Sequence, residues 1–347
     1  MRILNQNFKQ VEVVDIFESL IWTDRYYEAG DFELRLPLSH IPDNLGLGAY
    51  ITYDKSDSIM IVESLQLDRS GDNGNEMTVS GRSLESILDR RVVEENVIFS
   101  ETRTITEILV TLVQNCVINP ENTKRRIDKF VFDKSKLPET AGNTLSTLGI
   151  SSAQYQGYIL YDAICDICRL CQLGWKLRVN SDGNMELIFY AGKDKSKIVI
   201  FSENMGNLSD IQYLVSTKDY KNAAYISGSE SNIYADIGEL SGLDRREIAV
   251  SSSASKTDGN TTISDEQYKH LLENEGWMEL TNHDLTGTSN GSIDTSENQF
   301  AYGTDFGLGD IVTIDYGFTT STESRVVENT YAMDVNGFQQ YNSFESV

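Results

Sequence analysis

The chain contains little proline, cysteine or histidine. Its 347 residues include 4 Pro, 4 Cys and 3 His, but 25 Gly and 17 Tyr. Scarce proline combined with abundant aromatic residues and glycine favours strands and turns over long helices. Four cysteines in a chain of this length do not indicate a disulfide framework, so we expect reduced thiols and no redox role.

Long apolar runs are missing as well. No stretch approaches the roughly 20 apolar residues of a membrane span. Residues 1–7 also lack the apolar region of a signal peptide. We therefore expect no membrane span, and synthesis and folding in a cytoplasm.

Basic residues are few. The chain has 29 Lys and Arg against 53 Asp and Glu, a net charge of −24, which argues against a surface built to bind nucleic-acid phosphates. The acidic excess lies at the two ends, because the net charge is −9 in residues 1–95, +1 in residues 96–195 and −16 in residues 196–347. Solubility alone is one interpretation of this distribution.

The sequence contains no recognisable catalytic or cofactor motif. His40, His270 and His283 form no paired-histidine metal motif or Ser-His arrangement, and no G-x-x-x-x-G-K phosphate loop occurs. Adjacent carboxylates such as Glu94 and Glu95 point different ways and identify no acid–base pair. We predict no catalytic residue, no metal and no cofactor, and hence no enzyme; hydrolysis of cell-wall material is the alternative.

One cysteine spacing has a chemical alternative. Cys165, Cys168 and Cys171 have the spacing of iron–sulfur ligands, with Cys116 as a possible fourth. Cys116, Cys168 and Cys171 also fall on predicted buried helix faces, where thiols behave as small hydrophobic side chains. We favour core packing over a cluster.

Helical periodicity is confined to three segments, which we predict over residues 105–116, 158–172 and 264–278. Two of them begin with capping boxes: Thr104 with Glu107, and Ser264 with Gln267. The third helix interrupts a strand-rich region between two polar stretches, residues 252–262 and 281–298. It is therefore predicted to be an insertion.

Most of the remaining pattern predicts short strands separated by turns such as residues 72–75 and 181–184. The predicted strands are Val11–Phe17, Phe32–Leu36, Tyr50–Tyr53, Ile59–Leu65, Met77–Ser80, Ile127–Phe132, Trp175–Val179, Met185–Tyr190, Ile198–Phe201, Ile211–Thr217, Asn222–Ser227, Glu247–Ser251, Ile311–Tyr316, Arg325–Asn329 and Tyr331–Val335. The fold class is therefore mainly β with an α+β insertion.

A short internal repeat links the two ends of the chain. Residues 46–54, GLGAYITYD, resemble residues 307–315, GLGDIVTID, and Val-Glu follows each copy, at Val62-Glu63 and Val327-Glu328. Two copies so far apart suggest two related β domains that flank an unrelated insertion. Chance similarity between turn-strand segments is the alternative.

Three segments resemble a known family. They are residues 22–34 (WTDRYYEAGDFEL), residues 79–84 (VSGRSL) and residues 302–312 (YGTDFGLGDIV). They are similar to the hub proteins of phage tail tips: the N-terminal module of the siphophage tail-associated protein and the baseplate hub of contractile tails. The resemblance covers nearly the whole chain.

The resemblance implies a homotrimer in which each subunit contributes two tube-like β-barrel domains, joined through α/β domains. Six such domains would form a ring that docks a threefold hub on a sixfold tail tube. Implied partners are the tail tube or distal tail protein and a spike or tip protein. DNA would pass through an acidic channel without specific binding. The location would be the virion tail, assembled in the bacterial host cytoplasm.

The predicted domains are residues 1–90, a first tube-like β barrel; residues 91–195, an α+β domain; and residues 196–347, a second barrel with a helical insertion near 264–280. The predicted function is a structural tail-tip hub, and the alternative is a cell-wall-degrading tail enzyme, either a glycosidase or a peptidase. Because the chain stops soon after its last barrel strands, we expect no lytic or adhesive activity within it.

Trp, Tyr and Arg are favoured at protein contacts, and arginines are unusual in an acidic domain. We therefore expect arginines to pair with carboxylates between subunits, although the aromatic residues could simply pack the first barrel. The candidate subunit or tube interface residues are Trp22, Arg25, Tyr26, Tyr27, Asp31, Arg82, Arg90, Arg91, Asp305 and Asp310.

Overall fold

Two units make up the chain. The computed structural model describes residues 1–70, 74–95, 97–150, 152–238, 240–258, 261–283, 287–293, 300–317 and 321–347. The β unit comprises Met1–Ile87, Leu173–Leu214 and Gly287–Val347, and the mixed unit comprises Leu88–Gln172 and Val215–Thr286. The β unit thus combines residues from both ends of the chain.

The elements follow in chain order. The described strands are β1 (Arg2–Leu4), β2 (Gln10–Val13), β3 (Ser19–Arg25), β4 (Asp31–Pro37), β5 (Tyr50–Thr52), β6 (Ile59–Ser70), β7 (Gly74–Ser83), β8 (Ile98–Ser100), β9 (Phe130–Phe132), β10 (Ser152–Gln154), β11 (Gly174–Val179), β12 (Met185–Tyr190), β13 (Ile200–Ser202), β14 (Leu208–Val215), β15 (Ala223–Ser227), β16 (Asn232–Asp236), β17 (Glu247–Ser251), β18 (Thr257–Asp258), β19 (Thr261–Thr262), β20 (Gly287–Ile293), β21 (Ile311–Asp315), β22 (Thr322–Asp334) and β23 (Gly337–Ser346). The described α-helices are α1 (Ile105–Val113), α2 (Leu160–Cys171) and α3 (Asp265–Asn282).

One large sheet dominates the β unit. Its main path through the described residues is β14-β20-β23-β22-β3-β4-β7-β6-β5-β1-β2, and β21 joins it by pairing with β22 and β13. These strands contain no closed barrel within the described ranges. Strands from the two ends of the chain therefore belong to one sheet, and the mainly β prediction is confirmed. Strands β11 and β12 form an antiparallel hairpin in the same unit.

Alternating apolar residues build the cores of the β unit. In β4 every second side chain, Phe32, Leu34 and Leu36, is buried, as expected for a strand with one face toward a core. They pack in a cluster with Trp22 and Tyr331. A second cluster forms around β13, β21 and β22 and includes Phe201, Val312, Ile314, Val326 and Phe344. Full burial of one such side chain contributes about 1.5–3 kcal/mol to the stability of the folded state.

The mixed unit packs helices on short strands. Strand β15 pairs antiparallel with β16 and parallel with β17, and α3 contributes Tyr268, Leu271 and Leu272 to the core that includes Ala224 and Ile226. The apolar residues of α1 recur at helical spacing and are buried. None of the described helices has the length and apolar character needed to span a bilayer.

The helix predictions are confirmed. Both capping boxes form, with Thr104 and Glu107 opening α1 and Ser264 and Gln267 opening α3. The first helix ends in a π-helical turn at Gln114–Ile118, and α3 extends four residues beyond the predicted end.

Several strand predictions need correction. Strand β3 was not predicted, and β20 lies in the stretch 281–298 that reads as a polar connection. The two predicted strands 325–329 and 331–335 are one strand, β22. Its residues from Ser324 to Asp334 pair with β23, with a single bulge between Val326 and Glu328. The final strand β23 was missed too. The turn predicted at residues 72–75 lies partly outside the described residues.

Candidate functional site

The β unit contains the same five-strand motif twice. The first motif has the order β3-β4-β7-β6-β5, and the second has the order β14-β20-β23-β22-β21. In each motif, the two strands that come first in the chain are neighbours in the sheet. The three later strands follow them across the sheet in the reverse of their chain order. We call these the first motif and the second motif. Their shared topology gives the short sequence repeat a structural counterpart.

The repeated Gly-Leu-Gly segments adopt the same backbone conformation. Gly48 and Gly309 have φ values of +79° and +87°, in the left-handed region that favours glycine. The amide of Gly48 donates to the Val62 carbonyl at 2.8 Å, and the amide of Gly309 donates to the Val326 carbonyl at 2.8 Å. Each glycine therefore lies just before the last strand of its motif, β5 or β21, and makes the same contact with the neighbouring strand, β6 or β22.

A bulge follows at the same place in each motif. The β6–β7 ladder shifts register between Val62 and Ser64, and the β22–β23 ladder shifts between Val326 and Glu328. Val62 is therefore the counterpart of Val326, one residue earlier than the Val-Glu match in the sequence suggested. A bulge adds local twist and redirects the strand beyond it.

The two motifs join within the chain through β22 and β3. The first part of β22 pairs with β21, and residues 328–333 pair antiparallel with residues 25–20 of β3. Tyr331 lies opposite Trp22, and the hydroxyls of Thr23 and Thr330 are 3.2 Å apart. This β22–β3 junction continues the sheet from one motif into the next.

One arginine with two carboxylate partners lies at the same junction. Arg25 Nη1 lies 2.5 Å from Asp31 Oδ2, and Arg25 Nε lies 2.6 Å from Glu328 Oε1. A guanidinium can serve two carboxylates at once because its donors form a rigid planar fork. Two candidate interface residues, Arg25 and Asp31, thus pair with each other, and sequence analysis missed Glu328 because it lies 303 positions further along the chain.

The three candidate aromatic residues lie inside the β unit. Trp22 and Tyr26 are fully buried and Tyr27 is nearly so. The Tyr26 ring contacts Tyr190 edge to face at 5.3 Å between centroids, and the Trp175 indole donates to the Tyr27 carbonyl at 2.7 Å. These contacts fit the core-packing alternative; an interface role for the three residues stays a prediction.

Asp305 and Asp310 order the turn before β21. Asp310 accepts from the Lys193 amide at 2.7 Å and the Gly307 amide at 3.0 Å, and its other contact is an ion pair with Lys195 at 2.9 Å. Asp305 accepts from the Ala301 amide at 2.8 Å. Both carboxylates therefore hold backbone groups within the chain.

The remaining candidate arginines differ in their surroundings. Arg82 binds Glu63 through two nitrogens at 2.9 and 3.1 Å, and both side chains are partly exposed. In the mixed unit, Arg91 donates to the Arg125 carbonyl at 2.7 Å, whereas Arg90 is exposed. An intersubunit role for these arginines stays a prediction.

Two buried carboxyl groups lie in a small cleft of the β unit that sequence analysis did not identify. Asp24 accepts from the Ser56 hydroxyl at 2.9 Å, and Glu85 accepts from the Leu177 amide at 2.7 Å. Burial raises the pKa of both carboxyl groups. The Glu85 contact fixes the β11–β12 hairpin, so a structural role accounts for it.

The cysteines behave as apolar side chains. Burial raises the pKa of Cys116 to about 11 and that of Cys171 to about 12, and it raises the pKa of Cys168 as well. Thiols held in the protonated form are poor metal ligands and nucleophiles. Within the described ranges, no group of three or more His, Cys, Asp or Glu side chains is arranged to hold a metal ion.

Comparison with known proteins adds an independent observation. A family model described as Siphovirus ReqiPepy6 Gp37-like protein matches residues 1–342. The tail protein from Neisseria meningitidis MC58 has a TM-score of 0.58 and 13% identity, with 99% of this chain and 95% of that chain covered. The 43 kDa tail protein of prophage MuSo2 from Shewanella oneidensis has a TM-score of 0.56 and 12% identity, with 99% and 98% covered. No curated protein matches the chain in sequence. At these identities the similarity shows a shared fold.

Proposed function

Because the chain belongs to the Siphovirus ReqiPepy6 Gp37-like family, we propose that it is a structural component of a phage or phage-like tail, the hub subunit of the tail tip. The fold that it shares over almost its whole length with two tail proteins supports this proposal. Its place of action would be the virion tail.

The duplicated motif carries the more specific part of the proposal. Each chain has two five-strand motifs of the same topology, joined by the β22–β3 junction. Three chains would therefore supply six quasi-equivalent motifs, enough for a ring with sixfold character on a threefold assembly. Such a homotrimer would adapt a sixfold tail tube to a threefold spike or tip. The two tube-like domains predicted at residues 1–90 and 196–347 would be formed by these motifs.

The charge distribution suits a channel. The β unit, which supplies the motifs, has a net charge of −16, whereas the mixed unit has −8. A lumen lined with carboxylates would repel DNA phosphates, so the genome would pass without binding specifically. The partners would be the tail tube or distal tail protein above the hub and a spike or tip protein below it.

The mass of the purified protein in solution is the first test. Light scattering after size exclusion, at several concentrations, is expected to give three times the 39.0 kDa chain mass, and the trimer should then bind purified tail tube. A monomer at every concentration that also degrades peptidoglycan would contradict the hub and favour a tail enzyme.

The candidate arginines allow a second test. Arg82 and Arg90 are proposed to pair with carboxylates of a neighbouring copy. If they do, the concentration for half-dissociation of the trimer should be about tenfold higher for the Arg82→Ala/Arg90→Ala variant than for the natural chain. The double variant Arg103→Ala/Arg126→Ala, which removes two other exposed arginines, is the matched control. Equal assembly of both variants would remove Arg82 and Arg90 from the interface.

A further inference from the structure

The first motif has an open sheet edge where the second motif has a neighbour. In the second motif, residues 328–333 of β22 pair with β3. Their counterparts after the shared bulge are residues 64–69 of β6. These residues pair with β7 on one side only, because β5 begins at Tyr50, opposite Ile61, and pairs with the earlier residues 59–61 of β6. Among the described strands, none pairs with the other side of this segment. We call residues 64–69 the β6 edge.

Exposure of the two segments differs accordingly. In β22, Asn329 is 0% exposed and Tyr331 is 5% exposed, because β3 and its core cover them. Their counterparts on the β6 edge are Leu65 and Leu67, which are 38% and 53% exposed. Two leucines on an exposed edge strand favour association, because unpaired backbone N–H and C=O groups lie beside apolar side chains.

The strand that would complement this edge is at the opposite end of the same sheet. The counterpart of β3 in the second motif is β14, since each is the first strand of its motif. Strand β14 ends the sheet path beside β20, so one of its sides has no neighbour among the described strands. Near its end Leu214 is 55% exposed.

We propose that the β6 edge of one copy pairs antiparallel with β14 of the next copy, repeating between chains the β22–β3 junction that exists within each chain. The occupant of the β6 edge is thus a second copy of this chain. The proposal rests on the trimeric hub proposed above and specifies its contact. Because one copy contributes β6 and the other β14, the contact is heterologous, and repeating it closes a ring when the rotation per copy divides a full turn.

A charged substitution tests the pairing. Leu67→Lys places an ammonium group in the proposed ladder, and we expect the concentration for half-dissociation of the trimer to rise about tenfold or more. Ile198→Lys makes the same change at an exposed apolar residue outside the strands and should leave assembly unchanged. Circular dichroism and the Tm establish that both variants fold.

Cross-linking tests the direction of the contact. Leu67→Cys and Leu214→Cys variants are prepared separately, mixed, and treated with a short bismaleimide. The mixture should give a cross-linked dimer, whereas each variant alone should give no more than the natural chain with its four cysteines. Efficient cross-linking of either variant with itself would overturn the heterologous pairing.

The outcomes separate the two proposals. If the natural chain is trimeric and Leu67→Lys leaves the trimer intact, the hub stands and the strand pairing is wrong. If the natural chain is monomeric at every concentration and the mixed cysteine variants do not cross-link, the trimer and the pairing both fail. Cross-linking of the β6 edge only to an added tail protein would likewise overturn pairing with a second copy.

Discussion

Gly309 and Gly48 occupy the same place in the two motifs but have different neighbours. A Cβ atom added at Gly309 would lie 2.2 Å from Cε2 of the buried Tyr26 ring, whereas a Cβ at Gly48 would have no atom within 4 Å. Both residues have positive φ. The pair therefore separates backbone strain from steric overlap.

We predict that Gly48→Ala lowers the free energy of unfolding by about 1 kcal/mol, the cost of a left-handed conformation for alanine. Gly309→Ala should lower it by about 3 kcal/mol, because Tyr26 must also move in a packed core. Urea denaturation followed by tryptophan fluorescence measures both, since Trp22 and Trp175 are buried in the β unit. Equal losses would show that Tyr26 adjusts freely.

Residue patterns with a local cause could be predicted from the sequence. The capping boxes at Thr104 and Ser264 were identified because the side chain and the amide it accepts from lie three residues apart. The partner of Arg25 could not be identified, since Glu328 approaches it only when β22 pairs with β3. The offset of one residue between the sequence match and the structural match of the repeats could not be predicted either, because neither bulge has a recognisable sequence pattern.

Among the elements, helix α3 carries a buried acid. Glu275 is 8% exposed, and burial raises its pKa to about 7, against a weaker opposing effect of a hydrogen bond with Ser252. On α2, burial raises the pKa of Asp166 to about 6. The folded state therefore binds more protons than the unfolded state between the ordinary carboxyl pKa and about 7. Stability falls as the pH rises through this window.

We predict that Glu275→Gln stabilises the mixed unit by roughly 2 kcal/mol at pH 8 and has little effect near pH 4, where the natural carboxyl is already protonated. Thermal unfolding at several pH values, followed by circular dichroism, tests this. Glu266→Gln removes an exposed carboxylate from the same helix and serves as the control. A pH-independent effect of Glu275→Gln would contradict the prediction.

Whole strands were predictable where apolar residues alternate and not where pairing alone defines them. Strand β4 has the period of two expected of a half-buried strand, and it was found. Strand β20, with the sequence GTSNGSI, lacks that period and exists through its ladder with β23. For the same reason, the strand pattern indicated two β regions but not that they share one sheet. The order of strands in a sheet depends on contacts between residues that are far apart in the chain.

At the scale of the whole molecule, charge opposes assembly. Each copy has a net charge of −24, so bringing three together costs free energy that salt reduces by screening. We predict that raising NaCl from about 0.05 M to about 0.5 M strengthens the proposed trimer, with a lower concentration for half-dissociation in light scattering. A neutral osmolyte serves as the control for excluded volume. If salt instead weakens the trimer, attractive pairs such as those proposed for Arg82 and Arg90 dominate.

The β22–β3 junction has a consequence for mass action. Residues 328–333 and 20–25 are held on one polypeptide, so the extent of their pairing does not depend on protein concentration. A ring of six motifs built from single-motif chains would need six bimolecular junctions, whereas chains with two motifs need half as many. Dilution of the proposed ring would therefore open only the contacts between chains, and its smallest product would be one chain with both motifs still paired.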